Sequence, residues 1–232
     1  MTDELAAAVV VDLPLRGEWV AGTSPADRIP SHGTDVLAQR YAFDFVRMDR
    51  RGRLYPGGQL RAGLVGVPLG AVYGYGQPIH APLDGIVVAS HDGIPEPQRI
   101  FLAAVIARVA RNTLTFRPGH GFDRLAGNHV IVRSGDVFAA FAHLATGSVR
   151  VTPGQTLVRG DVIGLVGHTG NSTAPHLHVQ LMDGPDPRTA HGLPCAFRVY
   201  DVERDGRWER VERGIPGRAE RIRSVDDAVS RR

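Results

Sequence analysis

The segment His176-Leu177-His178-Val179-Gln180-Leu181 alternates polar and apolar residues with period two. As a strand it sets His176, His178 and Gln180 on one face and sends Leu177, Val179 and Leu181 into a core. Cα atoms two apart on a strand lie roughly 6.6 Å from each other. Two imidazoles at that separation can converge on one point, one as a metal ligand and the other just behind it. An isolated His-x-His is more often an exposed polar face, but the approach to this pair favours chemistry. The preceding stretch, Gly164-Leu165-Val166-Gly167-His168-Thr169-Gly170-Asn171-Ser172-Thr173-Ala174-Pro175, enters through small and turn-forming residues. Such a segment lets backbone pass close to a site without side chains filling it.

Two further positions carry chemical interest. Residues 137–143 are apolar except for the last, His143, which shares a strand face with Val137, Ala139 and Phe141. A histidine ending such a strand is odd for packing alone, although a satisfied core histidine is the plain alternative. Residues 41–46, Tyr-Ala-Phe-Asp-Phe-Val, place Asp44 inside a strongly apolar strand. A carboxylate there is costly unless it is paired or bound to a metal. An ion pair with an arginine is the plain alternative for it.

The elements that must position these groups are mostly strands. Residues 41–46, 86–90, 129–133, 137–143, 162–166 and 176–182 are short, mostly β-branched or aromatic, and separated by turn residues. Pro82-Leu83-Asp84-Gly85, Ser134-Gly135-Asp136 and Arg159-Gly160-Asp161 punctuate them, and Pro153-Gly154 fits the centre of a type II turn. Residues 98–112 break the rhythm. Phe101, Val105, Ile106 and Val109 form a helical stripe with Arg108 and Arg111 on other faces, so a helix is expected between two strands. Residues 197–203 and 207–211 flank Arg204-Asp205-Gly206 as a hairpin. Beyond Gly214 the hydrophobic density falls, and residues 225–232 read as a frayed tail.

Composition sets the frame. The chain has 232 residues, 43% hydrophobic and 22% charged, with 28 glycines and 16 prolines, a profile of many short strands and turns. The net charge is +3 and every basic residue is arginine. The arginines between 207 and 223 are interleaved with Glu209, Glu212 and Glu220, so a solvated tail is expected and no nucleic-acid partner. The single cysteine, Cys195, rules out an intrachain disulfide and a multi-thiolate zinc site, and is read as a small buried residue. The early apolar run at residues 5–11 follows Asp3 and Glu4 and is short for a signal core, so neither an export signal nor a membrane span is expected.

Together these segments resemble the lysostaphin and LytM-type zinc metallopeptidases. The strongest match is Gly167-His168-Thr169-Gly170-Asn171-Ser172-Thr173-Ala174-Pro175-His176-Leu177-His178. His80-Ala81-Pro82-Leu83-Asp84-Gly85-Ile86-Val87, Gly127-Asn128-His129-Val130-Ile131 and Phe141-Ala142-His143-Leu144 follow in the family's order and rough spacing. With the early segment, the resemblance spans about residues 32–182. It implies a mainly β, single-domain sandwich of sheets with a shallow groove, of the duplicated hybrid motif type, here with one inserted helix. It also implies a Zn2+ ion held by two histidines and an aspartate. His178 matches the second histidine of His-x-His, a ligand, and Asp44 matches the aspartate ligand. His176 and His143 match the pair that handles the catalytic water and the transition state.

One position departs from the pattern. The family's first motif has a histidine four residues before the aspartate, and here that position is Arg40. The best substitute is His32, in the loop Pro30-Ser31-His32-Gly33-Thr34-Asp35. Pairing His32 with Asp35 is the alternative, but it leaves Asp44 unexplained. His80, His91, His120, His129, His168 and His191 are assigned structural or surface roles. The expected organisation is an N-terminal strand and loop over residues 1–31, a metallopeptidase-like unit over 32–200, and a hairpin with a polar tail over 201–232.

The resemblance implies a zinc-dependent metalloendopeptidase acting on peptidoglycan cross-links or glycine-rich peptides, extracytoplasmic if the cell wall is the substrate. Arg40 keeps open a second reading, a non-catalytic relative acting as a regulatory or wall-binding module. The Pro-Gly turn and following strand at residues 151–166 also suit a biotinyl or lipoyl carrier. That needs a lysine, and the chain has none.

Overall fold

Short runs of β-branched and aromatic residues bounded by Gly, Pro and Asp form strands wherever one face can be buried. The computed structural model describes residues 7–57, 65–115 and 122–225; His120 and the tail from residue 226 lie outside these. Sixteen strands form among them. They are β1 (Val9–Val11), β2 (Glu18–Thr23), β3 (Phe43–Val46), β4 (Val67–Pro68), β5 (Pro78–His80), β6 (Gly85–His91), β7 (Arg99–Ile100) and β8 (Asn128–Ser134). The later ones are β9 (Val137–Leu144), β10 (Thr156–Leu157), β11 (Val162–Leu165), β12 (Leu177–Met182), β13 (Gly192–Leu193), β14 (Cys195–Arg204), β15 (Arg207–Gly214) and β16 (Arg221–Arg223). Two helices, α1 (Leu102–Leu114) and α2 (Phe122–Ala126), separate β7 from β8.

The fold is mainly β, as expected. Twelve strands join one sheet along the path β1-β14-β16-β2-β3-β12-β9-β8-β6-β10, with β13 and β15 added at β12 and β14. The pair β5–β11 packs over it, so that Ile79 and Ile163 share one core with Trp19, Phe45, Phe141 and Leu177. The segments before residue 32 and after residue 200 contribute β1, β2, β15 and β16 to the long sheet. In the expected hairpin, now β14–β15, Asp205 and Gly206 have φ of 49° and 75°. Those left-handed values are what a tight two-residue turn between twisted strands requires.

Several boundaries differ from the sequence reading. Tyr41 ends a 3₁₀ segment (Val36–Tyr41), so β3 begins at Phe43. Arg99 and Ile100 pair with Val67 and Pro68 as β7, which delays the helix to Leu102. The helix also turns differently. Val105 and Asn112 are buried while Ile106 is 59% exposed and Leu102 73% exposed. Arg108 faces inward, because its guanidinium bonds the loop before β12. Among the described residues, no helix is long and apolar enough to cross a membrane.

Candidate metal centre

The three central strands β3, β12 and β9 bring the site together. In the β3–β12 register His178 stands directly opposite Asp44, and in the β12–β9 register it stands opposite Ala142. Directly opposed residues share a face, with Cβ atoms roughly 4.5–5.5 Å apart. The alternation of His176-Leu177-His178 therefore does what its spacing predicts. Leu177 is fully buried in the core, and the two imidazoles line the groove with Gln180.

His143 arrives by a route that strand alternation does not give. Between the β8–β9 pairs Asn128↔Leu144 and Val130↔Phe141, the residues Ala142 and His143 both stand against His129 alone. This is a β-bulge, a device that re-aims side chains beside functional sites. His143 takes φ of 66°, a costly left-handed value for a residue other than glycine. A regular strand would place His143 on the face of Phe141, which is buried in the core. The bulge instead turns it to the groove, with its ring centroid 4.7 Å from that of His176 and 5.9 Å from that of His178.

The hydrogen bonds define which ring nitrogens face inward. The Ser31 hydroxyl donates to the Gln39 carbonyl, so its oxygen accepts from His32 Nδ1 at 3.1 Å, and His32 Nε2 turns to Asp44 Oδ2 at 3.0 Å. The Gln180 amide donates to the Leu37 carbonyl, leaving Gln180 Oε1 to accept from His178 Nε2 at 2.9 Å. His178 Nδ1 then meets Asp44 Oδ1 at 2.9 Å. Both protons are thus tied outward, and the inward nitrogens carry lone pairs against a carboxylate. Such a group of acceptors is suited to a cation. One donor atom each from His32, Asp44 and His178 lies within 4.8 Å of the others. Atoms this close can share one ion at the bonds of about 2.0–2.2 Å that zinc makes with histidine and carboxylate. Outward donation by ligand histidines is the usual support for such a site.

Arg40 and Asp35 account for each other, since the guanidinium bonds both carboxylate oxygens at 3.1 Å. That engagement leaves Asp44, not Asp35, as the partner of His32. Burial would raise the Asp44 carboxyl, but the charge of His176, with His178 and His32 close by, holds it well below its usual range. Burial, then the neighbouring His176 and His178, hold His143 well below the ordinary imidazole value. His176 goes the other way: burial lowers it, yet the Asp44 charge and hydrogen bond raise it on balance. The outward nitrogens of this pair are also engaged, His143 Nδ1 with the Thr169 carbonyl at 3.0 Å and His176 Nδ1 with the Ala174 carbonyl at 2.6 Å.

The loop that delivers β12 passes very close to the rest of the site. Gly127 and Gly170 both have positive φ, and a Cβ on Gly170 would lie 2.4 Å from the Leu125 carbonyl oxygen and 2.5 Å from Gly127 nitrogen. Only glycine fits there. The site opens into a groove of about 250 Å³, with Phe122 and Leu125 of α2 on one wall and Gln39 among the lining residues. Ala140 and Ala142 also line it, opposite Gln180 and His178 in the register.

The remaining histidines divide. His80 bonds the Gly160 carbonyl, His191 pairs with Asp183 on the surface, and His91 stacks on His129. His129 lines the groove, and His168 is fully buried. Gln180 and Arg108 are contributors to which the sequence reading gave no role. The polar face of β12 was the signal for Gln180, and nothing in the periodicity marked Arg108.

The chain is similar in sequence to known proteins. A model of the family described as Peptidase family M23 matches residues 66–189, just over half of the chain. Peptidoglycan DD-endopeptidase ShyA of Vibrio cholerae is 41% identical over 81 residues, a match covering 34% of this chain and 18% of the relative. Among solved structures, the catalytic domain of the antimicrobial peptidase lysostaphin from Staphylococcus simulans is 17% identical with a TM-score of 0.38, covering 76% of this chain and 88% of that one. A zinc containing peptidase from Vibrio cholerae is 18% identical with a TM-score of 0.38, covering 78% of this chain and 37% of that one.

Proposed function

Since the chain belongs to peptidase family M23, we propose that it is a zinc-dependent metalloendopeptidase that hydrolyses peptide bonds in peptidoglycan cross-links. His32, Asp44 and His178 are the ligands, and His143 and His176 act on the reacting groups. Residues 32–200 form the catalytic unit, which includes two ligands that precede the segment matched by the family. The observation that carries the reading is the inward convergence of His32 Nε2 and His178 Nδ1 on the Asp44 carboxylate, with both outer ring protons already bound.

Zinc held there supplies Lewis-acid polarisation of a peptide carbonyl and a lowered pKa for water. The chain's own groups supply the proton chemistry. His143 is kept neutral by burial, and its Nδ1 proton is tied to Thr169, so its Nε2 lone pair takes the proton of the attacking water. His176 keeps one proton on Nδ1, and its Nε2, whose proton affinity Asp44 raises, takes up a second proton from solvent and passes it to the leaving amine. The groove beside them accommodates an extended peptide, with Phe122 and Leu125 offering an apolar wall. The substrate class follows the relative named as a peptidoglycan DD-endopeptidase.

The test is metal analysis of the purified protein and of its His32→Ala and Asp44→Ala variants, with digestion of purified peptidoglycan sacculi followed by fragment analysis. One zinc per wild-type chain, loss of it in both variants, and release of cross-link fragments by the wild type alone are expected. Unchanged zinc in both variants would refute the ligand set, and intact cross-links with zinc-loaded protein would refute the activity.

A further inference from the structure

We propose that Arg108, on the inserted helix α1, is a positioning residue for His176, acting through His168 and Ser172. Its catalytic consequence rests on the peptidase reading above; its effect on the His176 ring does not.

Arg108 is an unusual residue to turn inward. The helix offers alanines and aliphatic residues at neighbouring positions, yet the face toward the body carries Val105, Arg108 and Asn112. The guanidinium Nε is buried without a hydrogen-bond partner, and one terminal nitrogen donates to two neutral acceptors, His168 Nε2 at 3.0 Å and the Ser172 carbonyl. Sinking a cation against neutral partners is costly, and a leucine would pack there more cheaply. The contacts gain their meaning from what lies beyond them.

The order of donors can be followed outward from Arg108. Because the guanidinium donates to His168 Nε2, that nitrogen is an acceptor and His168 carries its proton on Nδ1. His168 Nδ1 donates to Ser172 Oγ at 3.0 Å. Ser172 Oγ spends its one proton on the Ala174 carbonyl at 2.6 Å, which leaves it only an acceptor toward the two histidines. That carbonyl also accepts from His176 Nδ1 at 2.6 Å, while Ser172 Oγ lies 3.1 Å from the same nitrogen. Every link therefore favours the tautomer of His176 with its proton on Nδ1, which leaves Nε2 facing the site, 3.5 Å from Asp44 Oδ1. The second donation, to the Ser172 carbonyl, pins the loop itself. A helix outside the sheet thus sets both the position and the proton placement of one catalytic imidazole.

The test uses the full chain, zinc-loaded and labelled with ¹⁵N-histidine, as wild type, Arg108→Leu and His168→Leu; the second variant cuts the same relay without touching Arg108. Histidine ¹⁵N shifts report the tautomer of His176, identified by its absence in His176→Asn. Zinc content and kinetics on a soluble cross-linked peptidoglycan fragment are measured alongside. A single Nδ1-protonated form in the wild type should give way to mixed tautomers in both variants. The kcat should fall about tenfold or more with KM within about twofold and zinc unchanged. An unaltered His176 tautomer in a folded variant would overturn the proposal, as would an unaltered kcat with a normal tautomer. A wild type that cleaves nothing would instead count against the peptidase reading, and the tautomer comparison would still decide the role of Arg108.

Discussion

His178 and Asp44 are 134 residues apart in the chain and 2.9 Å apart in space, Nδ1 to Oδ1. They meet because β12 is paired with β3 in a register that puts one Cα against the other. The same strand pairs with β9 on its other side, so three strands deliver the aspartate, His178, His176 just before β12, and the bulged His143 to one small area.

Gln180 should tune metal affinity without touching the metal. Gln180→Ala leaves the His178 Nε2 proton without its acceptor and frees the ring to rotate. Zinc affinity, measured by competition with a chromophoric chelator, is expected to fall by about 10–100-fold with the fold intact. An unchanged affinity would mean that His178 is oriented by something other than this amide.

His143→Ala and His176→Ala should each retain zinc and lose activity. The expected drop in kcat is about 10²–10⁴-fold for either. The double variant should be little worse than the more damaging single one, because groups that act as a unit are not additive. Single-turnover rates on cross-linked fragments at matched zinc content provide the measurement. Activity surviving either change would remove that histidine from the proton-transfer pair.

Acid should weaken the fold well before carboxylates titrate. Burial, then the charges of Arg108 and His176, lower His168 to about 3, whereas an unfolded histidine titrates near about 6.5. The unfolded chain binds a proton across that interval that the folded chain refuses. The stabilisation is complete above about 6.5 and is lost as pH falls toward 3, at no more than about 1.4 kcal/mol per pH unit for this group. His143 shifts in the same direction. Urea unfolding between pH 7 and 4.5 should show this slope, and His168→Asn should make it shallower. Parallel slopes in the two proteins would show that His168 does not titrate on unfolding.

Gly170→Ala should be among the more damaging single methyl additions. The new Cβ meets the backbone of Leu125 and Gly127, and the residue must hold φ of 66°. The left-handed backbone alone costs about 1–2 kcal/mol, and the loop must shift as well. Thermal unfolding should report a clear fall in Tm, and peptide hydrolysis should fall with it. A variant as stable and active as the wild type would show that the loop has slack.

The sequence was most informative where local pattern and local structure coincide. The period of two at His176–Leu181 produced the strand face that carries His178 and Gln180, and the glycines before it mark a loop forced against α2. Asp44 stood out because a lone carboxylate in an apolar strand needs partners, and it has three histidines. What stayed hidden depends on pairing between distant strands. The groove-facing turn of His143 comes from an extra residue in β9 relative to β8, which no reading of β9 alone contains. Arg108 was assigned to an outer face because hydrophobic periodicity treats a charge as solvent-seeking, and here a polar loop lies beneath it.

Ala140 and Ala142 form the floor beneath Gln180 and His178. Each is a single methyl group where β-sheets commonly place something larger, which leaves room in the trough beside the ligands. Valine at either position would raise that floor toward the ligands, and glycine would lower it. Selectivity among substrates of different girth could therefore be adjusted from below, leaving the histidines, the aspartate and the helical wall as they are.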